Sequence, residues 1–392
     1  MTLSLIALIS FMSAIVLISR QKLTAPDIFV WPWLIVLIGM WLIEDHLLVI
    51  DTISVFFVAI NVFFIFVLLS LTAPALEYKL HNIELRMPFW IDKLVIFVVA
   101  CMAFQVLLTL LDAFNYSGGL VGYTLKARFA LMHGEDRPGK LANPLYYKIY
   151  KNALLFLYVF GVFFLVTSRR KLAVICCLSV MLGYLIMGER WSPIYTLLTF
   201  GIYFFTNSHR KKLAFLMVGV LFAVLFIGGS LLRDRADVKD IGRDLIVYSI
   251  GGLVAYGAMS SESCSNCYTP PTFRYIGSIL GVSDKSTDVV GAPVNITKEG
   301  GWTNTYAIWG SLHFYFGRFG TVIIVWLSVI LIYVLSLKMK NSRLAAYYFY
   351  MFAPALVLSI FAEALFQLAP TIIRSTIILP FLLFVKKGRR YV

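Results

Sequence analysis

The sequence predicts an all-α, multi-spanning membrane protein, and three features of it carry that expectation. Of its 392 residues 60% are hydrophobic and only 14% charged, against roughly a quarter charged in an ordinary soluble domain. Apolar runs of roughly 15 to 20 residues recur along the whole chain, about the length a helix needs to cross the hydrocarbon layer. Between the runs lie short charged patches, and every second patch is basic. A helix satisfies its own backbone N–H and C=O groups in lipid, so a helical bundle follows.

Taken in order, the runs place about eleven spans, at 3–18, 28–43, 53–71, 94–111, 153–166, 172–187, 194–206, 213–232, 320–337, 345–361 and 371–385. The first begins at the initiator Met, with no basic segment ahead of it and no small-residue cleavage pattern behind it. It is expected as a retained helix rather than a signal peptide. No internal repeat of fixed period and no low-complexity tract divides the chain, so 1–392 reads as a single polytopic domain.

Orientation follows from the Lys/Arg bias of short loops. The basic patches are Arg20 and Lys22; Lys79, Arg86 and Lys93; Arg169, Arg170 and Lys171; Arg210, Lys211 and Lys212; Lys338, Lys340 and Arg343; and the tail Lys386, Lys387, Arg389 and Arg390. The short loops between them, 44–51, 188–193 and 363–370, hold one basic residue, Arg190. A cytoplasmic C-terminus and a non-cytoplasmic N-terminus are expected. Counted by side, the inner segments carry 18 basic residues against Asp27, Glu77, Glu84 and Asp92, a balance of +14, and the remaining 16 basic and 16 acidic residues cancel outside. The net charge of +14 is therefore a mark of topology. It is no argument for a nucleic-acid partner, which bulk charge alone would suggest.

Two connections break the short-loop pattern, both on the outer side: a smaller loop at 112–152 and a large one at 233–320. Long connections in compact proteins are usually functional. The larger contains an apolar stretch, 244–259, interrupted by Gly251, Gly252 and Gly257. Those glycines and the flanking charges favour a re-entrant or interfacial helix there; a full crossing is the alternative and would invert every later loop.

Several function classes recede. No phosphate-loop pattern of the GxxxxGK[ST] kind is present, so an ATP-driven machine is not expected. Charges at membrane depth are confined to Glu363 and Arg374 near span ends, a thin signature for an ion-coupled transporter. No set of ligands lies at zinc-finger spacing, so no metal site is expected.

The outer segments do present arginines: Arg190, Arg233, Arg235, Arg243, Arg274 and Arg318. A guanidinium holds phosphate oxygens in pairs and keeps its charge beside a membrane, which suits a lipid pyrophosphate. Arg233 and Arg235 lie among Asp234, Asp237 and Asp240, where a structural charge network is the stronger reading. Arg190 follows Gly188 and Glu189 in a short turn between spans, where it either serves the substrate or pairs with Glu189 or a lipid headgroup. His313 precedes the ninth span and has a pKa range suited to a general base; its neighbours Phe314, Tyr315 and Phe316 equally suit an interfacial packing role. Cys264 and Cys267 are expected as a disulfide on an oxidising face, while Cys101, Cys176 and Cys177 fall in spans and read as packing. Asn295-Ile296-Thr297 matches a glycosylation sequon too short to be informative. Trp302 and Tyr306 are either interface anchors or stacking surfaces for sugar rings.

These features together resemble a family. The many spans, the dominant outer loop in the C-terminal half, the turn Gly188-Glu189-Arg190, the segment from Arg243 to Tyr248-Ser249-Ile250-Gly251-Gly252, Thr303-Asn304-Thr305-Tyr306, and Phe316-Gly317-Arg318-Phe319-Gly320 resemble the Wzy-type oligosaccharide repeat-unit polymerases of O-antigen and capsule synthesis. The resemblance implies a GT-C-like fold in the bacterial inner membrane and a glycosyltransferase acting at the periplasmic face. Its substrate would be undecaprenyl-pyrophosphate-linked glycan, with no cofactor and no metal, in keeping with the lack of an Asp-x-Asp motif. It implies that Arg190 and Arg243 stabilise the pyrophosphate with Arg274 or Arg318 in support, that His313 is the base, and that Trp302, Asn304, Tyr306 and Tyr248 contact substrate. Membrane lipid and a chain-length regulator are the partners it suggests. An O-antigen ligase shares the layout and stays open as an alternative, as does a flippase for the same lipid-linked repeat.

Overall fold

The computed structural model describes residues 3–20, 22–47, 50–76, 89–133, 136–189, 191–207, 250–259, 294–295, 302–303, 307–360, 371 and 375. Its helices in chain order are α1 (Leu3–Ser19), α2 (Asp27–Leu42), α3 (Thr52–Ile65), continued by a π turn at Phe66–Ser70, α4 (Phe89–Phe114), α5 (Gly119–His133), α6 (Pro144–Val166), α7 (Arg170–Ile186), α8 (Trp191–Asn207), α9 (Gly251–Met259), α10 (Ile308–Lys338) and α11 (Arg343–Val357). The strands described are β1 (Val294–Asn295) and β2 (Trp302–Thr303), paired antiparallel with Val294 opposite Thr303. Among the described residues five helical stretches are long and apolar enough to cross a membrane: Thr52–Ser70, Asp92–Phe114, Pro144–Val166, Phe316–Lys338 and Arg343–Ile360. α1 and α2 are apolar but shorter. Leu8, Phe11, Met12, Ile15 and Ile18 on α1 and Leu94, Phe97, Phe104, Leu107 and Leu111 on α4 are exposed. Apolar faces this continuous belong in lipid rather than water.

The chain divides into two compact units. The first comprises Met1–Leu76, Val238–Leu337 and Phe352–Pro370; the second comprises Glu77–Asp237, Lys338–Met351 and Thr371–Val392.

In the first unit α2 carries the core, with Phe29, Val30, Trp33 and Met40 fully buried. Where α2 begins and the π turn ends, Asp27 is fully buried. Its carboxylate accepts from the Thr24 N–H at 2.6 Å and from the Ser70 hydroxyl, and Arg20 Nη2 lies 3.7 Å away. At the other end of α3, Asp51 is the N-cap: it accepts from Ile53 N at 3.1 Å, Ser54 N at 3.3 Å and the Ser54 hydroxyl at 2.6 Å. An aspartate directly before an apolar run is the residue a helix start requires, because it satisfies N–H groups that have no intrahelical partner.

In the second unit α6 is the buried centre, with Leu154, Leu157, Val159, Val162 and Phe163–Val166 at or near zero exposure. Small residues let α7 approach it: a Cβ on Gly161 would stand 3.2 Å from the Cys176 Cβ, and the Tyr150 hydroxyl donates to the Gly183 carbonyl at 3.2 Å. Buried hydroxyl pairs tie the remaining helices together, Tyr158 to Thr199 at 3.0 Å and Thr206 to Tyr350 at 2.7 Å, while Tyr195 donates to the Met351 carbonyl at 2.5 Å. Hydroxyls paired in this way need no water. Arg169 pairs with Asp92 at one end of the unit. The segment 112–152 is mostly helical, holding the end of α4, α5, a 3-10 turn at Gly139–Ala142 and the start of α6. α5 buries Tyr123, Thr124, Ala127 and Ala130 and exposes Val121, Lys126 and Phe129.

Candidate functional site

The site is assembled in the first unit where three chain segments meet: the start of α3, α9 and the first turns of α10. Glycines bring them together. A Cβ on Gly257 would stand 2.9 Å from the Asp51 Cβ, and one on Gly252 would stand 2.8 Å from the Ala307 nitrogen and 3.0 Å from the Ile360 oxygen. The Ala307 N–H donates to the Gly252 carbonyl at 3.3 Å. The glycines that interrupt the apolar stretch in sequence are thus places of close backbone approach. The helix they belong to is described over Gly251–Met259.

α10 is broken at Gly317, whose φ of 68° and ψ of 179° lie in a region open in practice only to glycine. The break separates a short helix bearing Trp309 and His313 from the long apolar helix that starts with Arg318. On the near side, Trp309 is fully buried, edge-on to Trp33 with centroids 6.1 Å apart and to Phe57 at 5.9 Å. One turn further on, the His313 ring lies 5.8 Å from the ring of Tyr256 on α9. On the far side, the Arg318 guanidinium carbon is 5.8 Å from the Phe57 ring.

The charges at this point act on one another. Burial lowers the His313 pKa and the Arg318 cation lowers it further, so the imidazole is neutral at pH 7. Burial raises the Tyr256 phenol; Arg318 counters that rise and Asp51 adds to it. The Arg318 guanidinium approaches the Tyr256 hydroxyl without reaching hydrogen-bonding geometry. Arg318 is exposed, and among the described residues no carboxylate stands within ion-pair distance of it. The arrangement provides an uncommitted cation and a neutral imidazole within one small volume. Such a pair can stabilise a developing anion and accept a proton.

A second feature lies in the second unit, at the turn after α7. Gly188 ends that helix with φ +72°, and a Cβ there would meet the Arg128 Cβ at 2.7 Å and the Thr124 oxygen at 3.0 Å on α5. A glycine in the left-handed region is the usual way to stop a helix. Glu189 follows, its carboxylate accepting from the Ser192 hydroxyl at 2.5 Å. Burial raises its pKa, with the Ser192 bond and the Lys151 charge opposing.

Of the residues singled out in the sequence, His313 and Arg318 are described and stand in the same site. Trp302 is placed by its backbone in β2, paired with Asn295. Arg190, Arg233, Arg235, Arg243, Tyr248, Cys264, Cys267, Arg274, Asn304 and Tyr306 lie outside the described residues. Sequence reasoning did not select Asp51 or Tyr256. Asp51 carries a readable signal as a helix cap; Tyr256 is joined to His313 only by the packing of α9. Among the described residues no group of three or more His, Cys, Asp or Glu side chains is placed to hold a metal ion.

Compared with protein-family models, curated proteins and solved structures, the chain matches none.

Proposed function

We propose that this protein is a multi-pass enzyme of the bacterial inner membrane, with about eleven spans, a GT-C-like fold, a periplasmic N-terminus and a cytoplasmic C-terminus. It polymerises undecaprenyl-pyrophosphate-linked repeat units of an O-antigen or capsular polysaccharide. The observation that supports this reading is the meeting of His313 and Arg318, two residues selected independently from sequence, at helix ends that the charge bias assigns to the outer side.

In the reaction, an acceptor hydroxyl of one lipid-linked repeat attacks the anomeric carbon of another glycan. The new C–O bond forms as the bond to pyrophosphate breaks. The acceptor proton passes to the neutral His313, and undecaprenyl pyrophosphate leaves with the electron pair. Arg318 stabilises the charge growing on the leaving group, a service worth about a hundred- to a thousandfold in rate per donor removed in comparable sites.

Deletion of the gene tests the reading. Loss of the polymerase leaves a surface glycan of a single repeat. Polymer that accumulates on its carrier without reaching lipid A would point instead to a ligase, which His313 and Arg318 would serve equally well. Purified protein that moves lipid-linked repeats across liposome bilayers and never lengthens them would point to a flippase.

A further inference from the structure

Beside the reacting pair, three buried polar atoms have no hydrogen-bond partner among the described residues: the Trp309 indole nitrogen, the Tyr256 hydroxyl and His313 Nδ1. Trp309 is 0% and Tyr256 1% exposed. A buried group left unsatisfied costs about 1–3 kcal/mol, and native proteins pair nearly all of theirs. Other indoles of the same unit obey that rule: Trp33 donates to the Ser359 hydroxyl at 2.9 Å and Trp326 to Asn61 Oδ1 at 3.2 Å. Unpartnered phenols occur elsewhere, at Tyr203 and Tyr347. Here, among the described residues, the unpartnered groups are neighbours: Trp309 and His313 lie one turn apart on α10, the His313 ring is 5.8 Å from that of Tyr256, and the exposed Arg318 follows the Gly317 break.

The kind of atom decides what they would take. An indole N–H only donates, a phenol donates and accepts, and the free nitrogen of an imidazole does either according to tautomer. Phosphate oxygens only accept, and their natural partner here is the charged Arg318. Sugar hydroxyls donate and accept at once, which fits a mixed neutral set. The surroundings are aromatic: Trp33 and Phe57 pack edge-on against Trp309, and Tyr256 against His313, and aromatic rings are the apolar complement of a pyranose.

We propose that Tyr256, Trp309 and His313 form a recognition site for the uncharged hydroxyl groups of a pyranose, with Arg318 marking its boundary with the pyrophosphate. In naming the occupant as the acceptor sugar this rests on the polymerase reading; as a binding site for neutral saccharide it does not.

The test is direct binding to the full-length protein in nanodiscs, by calorimetry, with two probes: phosphate-free oligosaccharide released from the host's surface polysaccharide, and inorganic pyrophosphate. Tyr256→Phe and Trp309→Phe are expected to weaken oligosaccharide binding by about two- to tenfold each, the worth of one neutral hydrogen bond, and to leave pyrophosphate binding unchanged. Arg318→Gln should do the reverse. Unaltered oligosaccharide affinity in both aromatic variants would overturn the site even if the protein polymerises. Conversely, Tyr256- and Trp309-dependent sugar binding in a protein that never lengthens glycan would leave the site standing and remove the polymerase. Tyr256→Phe deletes an unpartnered oxygen, so its melting temperature should hold or rise. A fall of several degrees would show the hydroxyl satisfied within the fold and would also overturn the proposal.

Discussion

The two ends of α3 each gather an arginine and an aspartate, and they are put to opposite use. At the Ser70 end, Asp27 is wholly buried and its carboxylate is shared among Thr24, Ser70 and Arg20, so the arginine's charge is cancelled in place. At the Thr52 end, Asp51 turns its carboxylate onto the first N–H groups of its own helix and onto Ser54. Arg318, on the far side of the Gly317 break, is left exposed with its charge uncancelled. Composition cannot separate these arrangements. What separates them is which groups each carboxylate is already bonded to. A cancelled pair holds the fold, and an uncancelled cation beside a neutral base can do chemistry.

The comparison is broken most severely at its closed end. Asp27→Asn leaves Arg20 without a counter-charge, and removing one partner of a buried pair typically costs about 3–5 kcal/mol. The expected outcome is poor recovery of folded protein from the membrane and a melting temperature lowered by many degrees. Arg318→Gln is the matching change at the open end, and it should leave folding intact while cutting polymerisation about a hundred- to a thousandfold. It carries a second signature. Because Arg318 holds the His313 pKa down, its loss should move the acid limb of the pH–rate profile upward, toward the ordinary imidazole value. A variant that folds poorly, or whose acid limb stays in place, would show that Arg318 is structural after all.

Gly317→Ala asks whether the break in α10 matters for the position of Arg318. Nothing lies within 4 Å of a Cβ placed there, so any cost is backbone strain alone, about 1–3 kcal/mol. Activity should fall more than stability, since relaxing φ swings the arginine away from Tyr256 and His313. Equal losses of activity and stability would argue against a positioning role.

The sequence made most of the fold legible because apolar runs are long and charges between them sparse. It did not disclose α5, whose buried face of Tyr123, Thr124, Ala127 and Ala130 is small or polar and is interleaved with Lys126 and Arg128. The site was half legible. His313 and Arg318 stand out as polar residues at the mouth of a span, within five positions of each other. Tyr256 and Asp51 reach them from distant parts of the chain, and the glycines that dock α9 carry no pattern that separates close approach from interruption. Gly257 meets Asp51 across some two hundred residues of sequence, a contact no local rule foretells.

The smallest expected effect concerns Glu189, a helix-end acid of a third kind, half-buried and held by a hydroxyl. Its folded pKa is raised above the ordinary 4.5 by burial. Between those two values the unfolded chain is ionised while the folded one keeps its proton, so the folded state binds more protons and stability declines as pH rises through that window. Above the folded value the loss is complete; below the ordinary carboxyl value it vanishes. Glu189→Gln retains an oxygen acceptor for Ser192 and removes the titration, so it should raise the melting temperature by about 1–3 °C at pH 7 and change nothing at pH 4. The other reading of the turn, a Glu189–Arg190 ion pair, requires the opposite sign at pH 7. A melting curve at each pH therefore decides whether Arg190 is committed to its neighbour or is available, like Arg318, to a substrate.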